Sequence, residues 1–338
     1  MSIVSVYFVK TELELLSSEI IAKSFEAKSY NILAYQTTIF DKSASPAFDA
    51  AVPFMPDQSS GYFSTHKSIE ASLSLAAERI RSHHVSPKQI RIHLPRISTS
   101  KSNFSINFFK KAFPNSEVVI CIIPHGLVSI DIIPLTFQKK LKFFKRRWGV
   151  NSIFFPKLKY YSPNTDLIGI LDKKVICVYT FKGMEGNYPS NKVRLLEIAL
   201  SRRADGDKKT AVIVGQPLLK DGFATRQSVD TITDKIHAWV KENNFDIVYY
   251  SKHPRSGQYL DFYHEDYIIL EQNGAIEPTL CEMRPHAIIS CYSTALAIGK
   301  SLLGDSVECI SIGLNYTDTD KKAELREHFR NAGISIYD

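Results

Sequence analysis

At 338 residues the chain is long enough for two domains of ordinary size, each with its own core. A hydrophobic share of 44% beside 23% charged residues excludes a disordered chain, and no apolar run approaches the roughly 20 residues that span a bilayer. Forty-two Lys and Arg against 35 Asp and Glu leave a net charge of +7, which suits an anionic partner: a nucleotide sugar, an acidic glycan, an anionic lipid surface or nucleic acid.

The chain opens with Ile3-Val4-Ser5-Val6-Tyr7-Phe8-Val9, a β-branched and aromatic run expected to form a buried strand. Apolar positions at Leu13, Leu16, Ile20, Ile21 and Phe25 follow at helical spacing. A strand over 32–35, an amphipathic helix over 69–82 and strands over 90–94 and 118–123 come next, with 175–179 as the last strand of this series. A Gly, Pro and Asn-rich passage over 182–191 marks a linker. A second series starts with the strand 210–214, followed by a helix over 228–243 and strands over 245–250, 267–270, 286–289 and 307–312. The stretch 321–331 reads as a charged helix. Strands alternating with helices argue for parallel, doubly wound α/β domains. The expected division is an N-terminal Rossmann-like domain over 1–185, a linker over 186–209, a C-terminal Rossmann-like domain over 210–315 and a C-terminal helix over 316–338 packing back on the first domain. Cys121, Cys177, Cys281, Cys291 and Cys309 are odd in number and mostly sit in apolar runs, as reduced core thiols do. With no signal-peptide pattern, a cytoplasmic location is expected.

Four clusters carry candidate chemistry. Gly215-Gln216-Pro217 follows the strand 210–214, where a Gly lets backbone approach a ligand, although an ordinary turn would need the same residue. Lys252-His253-Pro254-Arg255 follows the next strand and offers an imidazole donor and cations to a phosphate. Ser290-Cys291-Tyr292-Ser293-Thr294 brings hydroxyls to a helix start, where they cap the helix, bind an anion, or do both. In the first half, Ile122-Ile123-Pro124-His125-Gly126 places an imidazole at the end of a buried strand; His125 is the candidate general base, against the alternative of a buried structural histidine. His83, His84, His93, His237, His264 and His286 lack such a setting. The segment 139–148 interleaves cations with aromatic residues and could rest on an anionic membrane, cradle an acidic acceptor, bind nucleic acid, or be a solvated helix face. Asp205-Gly206-Asp207 and Asp318-Thr319-Asp320 imitate a metal-binding acidic triplet without a core strand before them, and no metal ligand is expected from them.

The order and spacing of these motifs resemble bacterial sialyltransferases of the GT-B fold, especially lipooligosaccharide sialyltransferase and polysialyltransferase-like families. The resemblance rests on Val6 to Thr11 with Leu13, Leu15 and Leu16, on Val214 to Leu218, on Lys252-His253-Pro254, and on Ser290 to Leu296. It implies two Rossmann-like domains facing a central cleft and transfer of a nonulosonate from a CMP donor to a surface glycan of capsule or lipooligosaccharide. The same resemblance implies that His253, Ser293 and Thr294 hold the donor phosphate, with Gly215, Gln216, Lys252, Pro254 and Ser290 around it and Glu277 near ribose or base. Lys10, Thr11 and Gly126 fall on the acceptor side. No metal or other cofactor is implied, and no nucleic acid partner. The families carry an acidic residue where this chain has His125. A His-Gly pair stands there in polyol-phosphate polymerases, which keeps a CDP-glycerol or polyol-phosphate transferase open as a second enzyme reading. A non-catalytic protein bound to membrane or another anionic ligand through 139–148 is the reading of a different class.

Overall fold

The computed structural model describes residues 2–36, 45–54, 61–83, 86–99, 101–125, 132–149, 153–197, 208–271, 274–320 and 322–338. It divides into two compact units, one of residues 1–180 and 187–195, the other of 181–186 and 196–338.

In the first unit the elements run β1 (Ile3–Val9), α1 (Glu12–Ser24), β2 (Tyr30–Tyr35), β3 (Ala50–Pro53), α2 (Tyr62–His83), β4 (Gln89–Leu94), α3 (Phe104–Ala112), β5 (Glu117–Ile122), α4 (Phe137–Trp148), β6 (Val175–Thr180) and β7 (Val193–Leu195). The seven strands form one sheet in the order β3-β2-β1-β4-β5-β6-β7, and every pairing is parallel. Parallel strands need helical crossovers on both faces, which is why these strands read as continuous apolar runs rather than alternating ones. One face packs Val4, Val6 and Phe8 of β1 against Ile69 and Leu73 of α2 and Phe109 of α3. The other face is partly polar: Tyr7 stacks on the fully buried His93 at 4.1 Å, and Arg91 Nη1 pairs with buried Glu26 Oε1 at 2.6 Å. Ser5 and Ser29 hydroxyls also donate to that Glu26 carboxylate, so its burial is compensated.

The second unit contains β8 (Thr210–Val214), α5 (Arg226–Glu242), β9 (Ile247–Ser251), β10 (Ile268–Leu270), α6 (Glu277–Met283), β11 (Ala287–Ser290), α7 (Thr294–Leu303), β12 (Glu308–Ile312), α8 (Lys322–Asn331) and β13 (Ser335–Tyr337). Its sheet runs β10-β9-β8-β11-β12-β13, again all parallel. Thr225 caps α5 by accepting the Ser228 N–H at 3.1 Å, and Ile232, Ile236 and Trp239 turn its apolar stripe into the core.

Both sheets have Rossmann order, so the chain consists of two Rossmann-like units, as expected of a GT-B chain. In each, the strand order reverses beside the first strand: between β1 and β4, and between β8 and β11. Three boundaries differ from the sequence expectation, the first being that 181–185 belong to the second unit rather than to the N-terminal domain. Part of the anticipated linker, 193–195, is β7, because Val193 to Leu195 find a free edge on β6. After α8 the chain adds β13, which pairs with β12 and belongs to the second unit. No helix among the described residues is long and apolar enough to cross a membrane.

Candidate active site

Ligands of open parallel sheets bind beyond the strand C-termini where the order reverses. In the second unit the register sets Val214 of β8 opposite Ser251 of β9, and Ile289 of β11 opposite Ile213. The residues that follow these strands, 215–216, 252–253 and 291–294, therefore emerge level on one edge. Neighbouring strands lie about 4.8 Å apart, so the three loops span about 10 Å, the scale of a nucleoside phosphate.

Gly215 is required for steric reasons. A Cβ there would stand 2.6 Å from Tyr250 Oη and 3.1 Å from Ser251 O, and its N–H already donates to Ser251 O at 2.9 Å. That amide extends the β8–β9 ladder. Gln216, nearly buried, ties β8 to the loop after β11, its Oε1 accepting the Tyr292 N–H at 2.8 Å. Ser290 is fully buried, and its single hydroxyl proton goes to Val214 O at 2.6 Å. Ser290 thus spends its one proton inside the protein, whereas Gln216 is engaged through Oε1.

Other groups at this edge are candidate donors to a ligand. Ser293 caps α7, its Oγ accepting the Ala295 N–H at 3.2 Å, and half-buried Thr294 opens the helix, whose first amides and dipole favour an anion. His253 is half-buried; burial, with the Arg255 guanidinium adding to it, lowers its pKa below the ordinary histidine value. Its Nδ1 accepts the Arg255 N–H at 3.0 Å, which assigns the proton of the neutral ring to Nε2 and leaves that N–H for a ligand. Arg255 is engaged with Asp221 at 3.1 Å, Lys252 is half-buried and Pro254 exposed. Glu277, 6% exposed, begins α6, and this helix packs on α7.

In the first unit, α1 starts immediately after β1. Thr11 caps it by accepting the Glu14 N–H at 3.2 Å, and Glu14 Oε2 accepts the Lys10 N–H at 2.6 Å. This carboxylate is fully buried, and its Oε1 lies 2.7 Å from His125 Nδ1, which follows β5. The contact has ion-pair distance without an aligned hydrogen bond. Lys10, Thr11 and His125 are thus brought together, with Glu14 as the hub; Gly126 lies outside the described residues. Burial lowers the Lys10 pKa, Lys101 and Arg96 push it further down, and Glu14 opposes them. Arg96, just past β4, keeps a buried Nε without a hydrogen-bond partner. Sequence reasoning missed Glu14, although Thr11-Glu12-Leu13-Glu14 carries the Thr-x-x-Glu capping signal directly after a strand.

The other histidines are structural or on the surface. His93 is a core residue, His83 stacks on Tyr30 at 3.9 Å, and His286 Nδ1 accepts the Thr210 N–H at 2.9 Å; His84 lies outside the described residues. Among these residues one group, His237, His264 and Asp266, has the residue types of a metal site. Its imidazoles stack at 3.5 Å and 16°, whereas ligands of one ion direct in-plane lone pairs at a common point. Asp205, Gly206 and Asp207 are not among the described residues, and Asp318 N–H donates to Phe223 O, a contact between distant loops of the second unit.

Residues 152–308 match the family model of alpha-2,8-polysialyltransferase. The match includes Gly215, Gln216, His253, Glu277, Ser290, Ser293 and Thr294, reads the chain as a glycosyltransferase, and bears out the sialyltransferase-like resemblance drawn from the motifs. No curated protein matches the chain. Solved structures share the fold only. The glycosyltransferase SnogD from Streptomyces nogalater is 13% identical with a TM-score of 0.48, covering 100% of this chain and 87% of its own. The UDP-GlcNAc 2-epimerase from Neisseria meningitidis, bound to UDP-GlcNAc, is 10% identical with a TM-score of 0.43, covering 98% and 90%.

Proposed function

We propose that the chain transfers a sialic-acid-like nonulosonate from a CMP donor to a bacterial surface-glycan acceptor, of capsule or lipooligosaccharide, without a metal. The observation that carries this reading is the polysialyltransferase match over 152–308, which takes in every donor-side residue named above. The second unit binds CMP. As the glycosidic bond to phosphate breaks, His253 Nε2–H and the first amides of α7, with the Ser293 and Thr294 hydroxyls beside them, stabilise the charge that grows on the leaving phosphate. The protein supplies these dipoles already oriented, so little reorganisation opposes the step. Lys252 adds a cation close by.

The first unit binds the acceptor. His125 takes the proton of the attacking hydroxyl, and the buried Glu14 carboxylate at 2.7 Å stabilises the imidazolium so formed. Lys10 holds an acidic group of the acceptor. The chain works in the cytoplasm, at an anionic membrane surface contacted by 139–148.

Donor screening tests the proposal. Purified protein should release CMP from a CMP-activated nonulosonate in an acceptor-dependent way, and His253→Ala should weaken CMP binding in calorimetry by roughly tenfold or more. Release of CMP from a CDP-polyol instead would establish the polyol-phosphate reading. Unchanged CMP affinity in His253→Ala would remove that residue from the phosphate site.

A further inference from the structure

Helix α4, Phe-Gln-Lys-Lys-Leu-Lys-Phe-Phe-Lys-Arg-Arg-Trp, carries six cations and no acid. Phe143 alone is buried and anchors the helix to the first unit's core. Phe137, Leu141, Phe144 and Trp148 follow at i, i+4, i+7 and i+11, one stripe of the helix, and they are 81%, 43%, 59% and 55% exposed. A globular helix normally buries such a stripe; here it faces outward between cations. Beside it lies a cavity of 660 Å³, in which Lys101, Lys142, Lys145 and Arg146 stand over an apolar floor that includes Ile69 and Phe104. Among the described residues no carboxylate lines it. At the start of α2, Tyr62 forms part of the wall, and Phe63 next to it meets exposed Phe154 edge-on at 5.3 Å.

We infer that this face docks the protein on a bilayer of anionic phospholipid, the stripe entering the acyl boundary and the cavity cations holding a headgroup phosphate. The inference rests on the membrane-surface part of the proposed function and gives it an address. Charge complementarity selects an anionic ligand, since four cations converge without a countercharge. The outward apolar stripe selects a lipid over a soluble acidic glycan, which would use the cations and leave the stripe in water. An interfacial helix needs a polar face rich in Lys and Arg, aromatic residues on the other, and low overall hydrophobicity; α4 has all three.

Vesicle sedimentation with the full chain tests it. Binding to phosphatidylglycerol vesicles is expected at low salt, with none to phosphatidylcholine, and Trp148 fluorescence should shift to the blue on binding. The double variant K142Q/R146Q, which removes two cations, should lower partitioning by roughly 30-fold, from a factor of about five for each cation near an anionic surface. F137S/F144S, which alters only exposed side chains, should lower it comparably while heparin binding stays intact. Lack of binding to phosphatidylglycerol overturns the inference. So does F137S/F144S that partitions like the parent, which would identify an acidic-glycan surface. CMP calorimetry on both variants should match the parent, which separates a failure of docking from a failure of folding or of the transferase reading.

Discussion

In the proposed reaction, His125 and Glu14 are the pair on which the acceptor chemistry turns. Their side chains come from different strands' ends, after β5 and after β1, and meet at 2.7 Å. His125→Ala should lower kcat by about a hundredfold or more, the contribution of a positioned general base, with little change in donor KM. Glu14→Gln keeps the shape and removes the charge that stabilises the imidazolium. It should lower kcat by roughly tenfold and leave CMP affinity alone. The double variant should be no slower than His125→Ala, because Glu14 acts through the ring it positions. Additive losses would give Glu14 a role of its own.

His93 makes a different prediction at the same scale. It is fully buried, stacks on Tyr7 and has no hydrogen-bond partner on either nitrogen; burial, with Arg91 adding to it, pushes its pKa down to about 3. Below pH 6.5 the unfolded chain takes up a proton that the folded chain refuses until about pH 3. Stability is therefore complete above 6.5 and falls with pH through that window, by about 2 kcal/mol between pH 6.5 and 5 from this residue alone. Urea unfolding at the two pH values should show the loss, and His93→Leu should reduce it by that amount. An unchanged difference would mean that the ring is not held neutral.

At the level of elements, the strand-end geometry explains why the donor motif is written as it is. Gly215 faces Tyr250 Oη, which donates to Asp261 O at 3.0 Å and cannot move aside, since Tyr250 is fully buried. Gly215→Ala should cost about 1–3 kcal/mol, the range for overpacking, and weaken CMP binding. Adding Tyr250→Phe removes the oxygen at 2.6 Å and should recover part of both, which thermal melts and calorimetry would detect. A lack of rescue would move the strain from Tyr250 to the Ser251 carbonyl. Most of these elements were legible in the sequence. β1 and β8 match their expected bounds, and helices α1, α5 and α8 lie within two residues of theirs, because continuous apolar runs and clean helical stripes leave few alternatives. The first turns of α2, from Tyr62, were not read: Tyr62 and Phe63 are exposed and fall off the buried stripe. β3, β7 and β13 are short edge strands that owe their existence to a neighbour's free edge, which no local pattern announces. The site was half legible. Periodicity and motif order found His125, His253 and Ser293, but the difference between a ligand-facing hydroxyl and the buried Ser290 that ties β11 to β8 depends on register across the sheet.

For the molecule as a whole, the net charge of +7 suggested a diffuse attraction for anions, yet six of the cations behind it sit on α4 alone. On the proposed nucleotide side, binding would rely on oriented donors rather than on bulk charge: an imidazole N–H, a capped helix start and one lysine. Such donors act only at contact, so a bound nucleotide should leave a local footprint. In hydrogen exchange, saturating CMP should slow the amides of 252–256 and 291–296, and less strongly those of 216–219, by stabilising the native edge against local opening. At a hundred times the dissociation constant the limit is about 2.7 kcal/mol, close to a hundredfold in exchange rate for amides that exchange through opening of the site. His253→Ala should reduce the footprint at both loops, because in the proposed site the histidine and the helix start grip the same phosphate. Protection confined to 10–14 and 122–125 would place the nucleotide on the unit assigned here to the acceptor, and would reverse the roles of the two sheets.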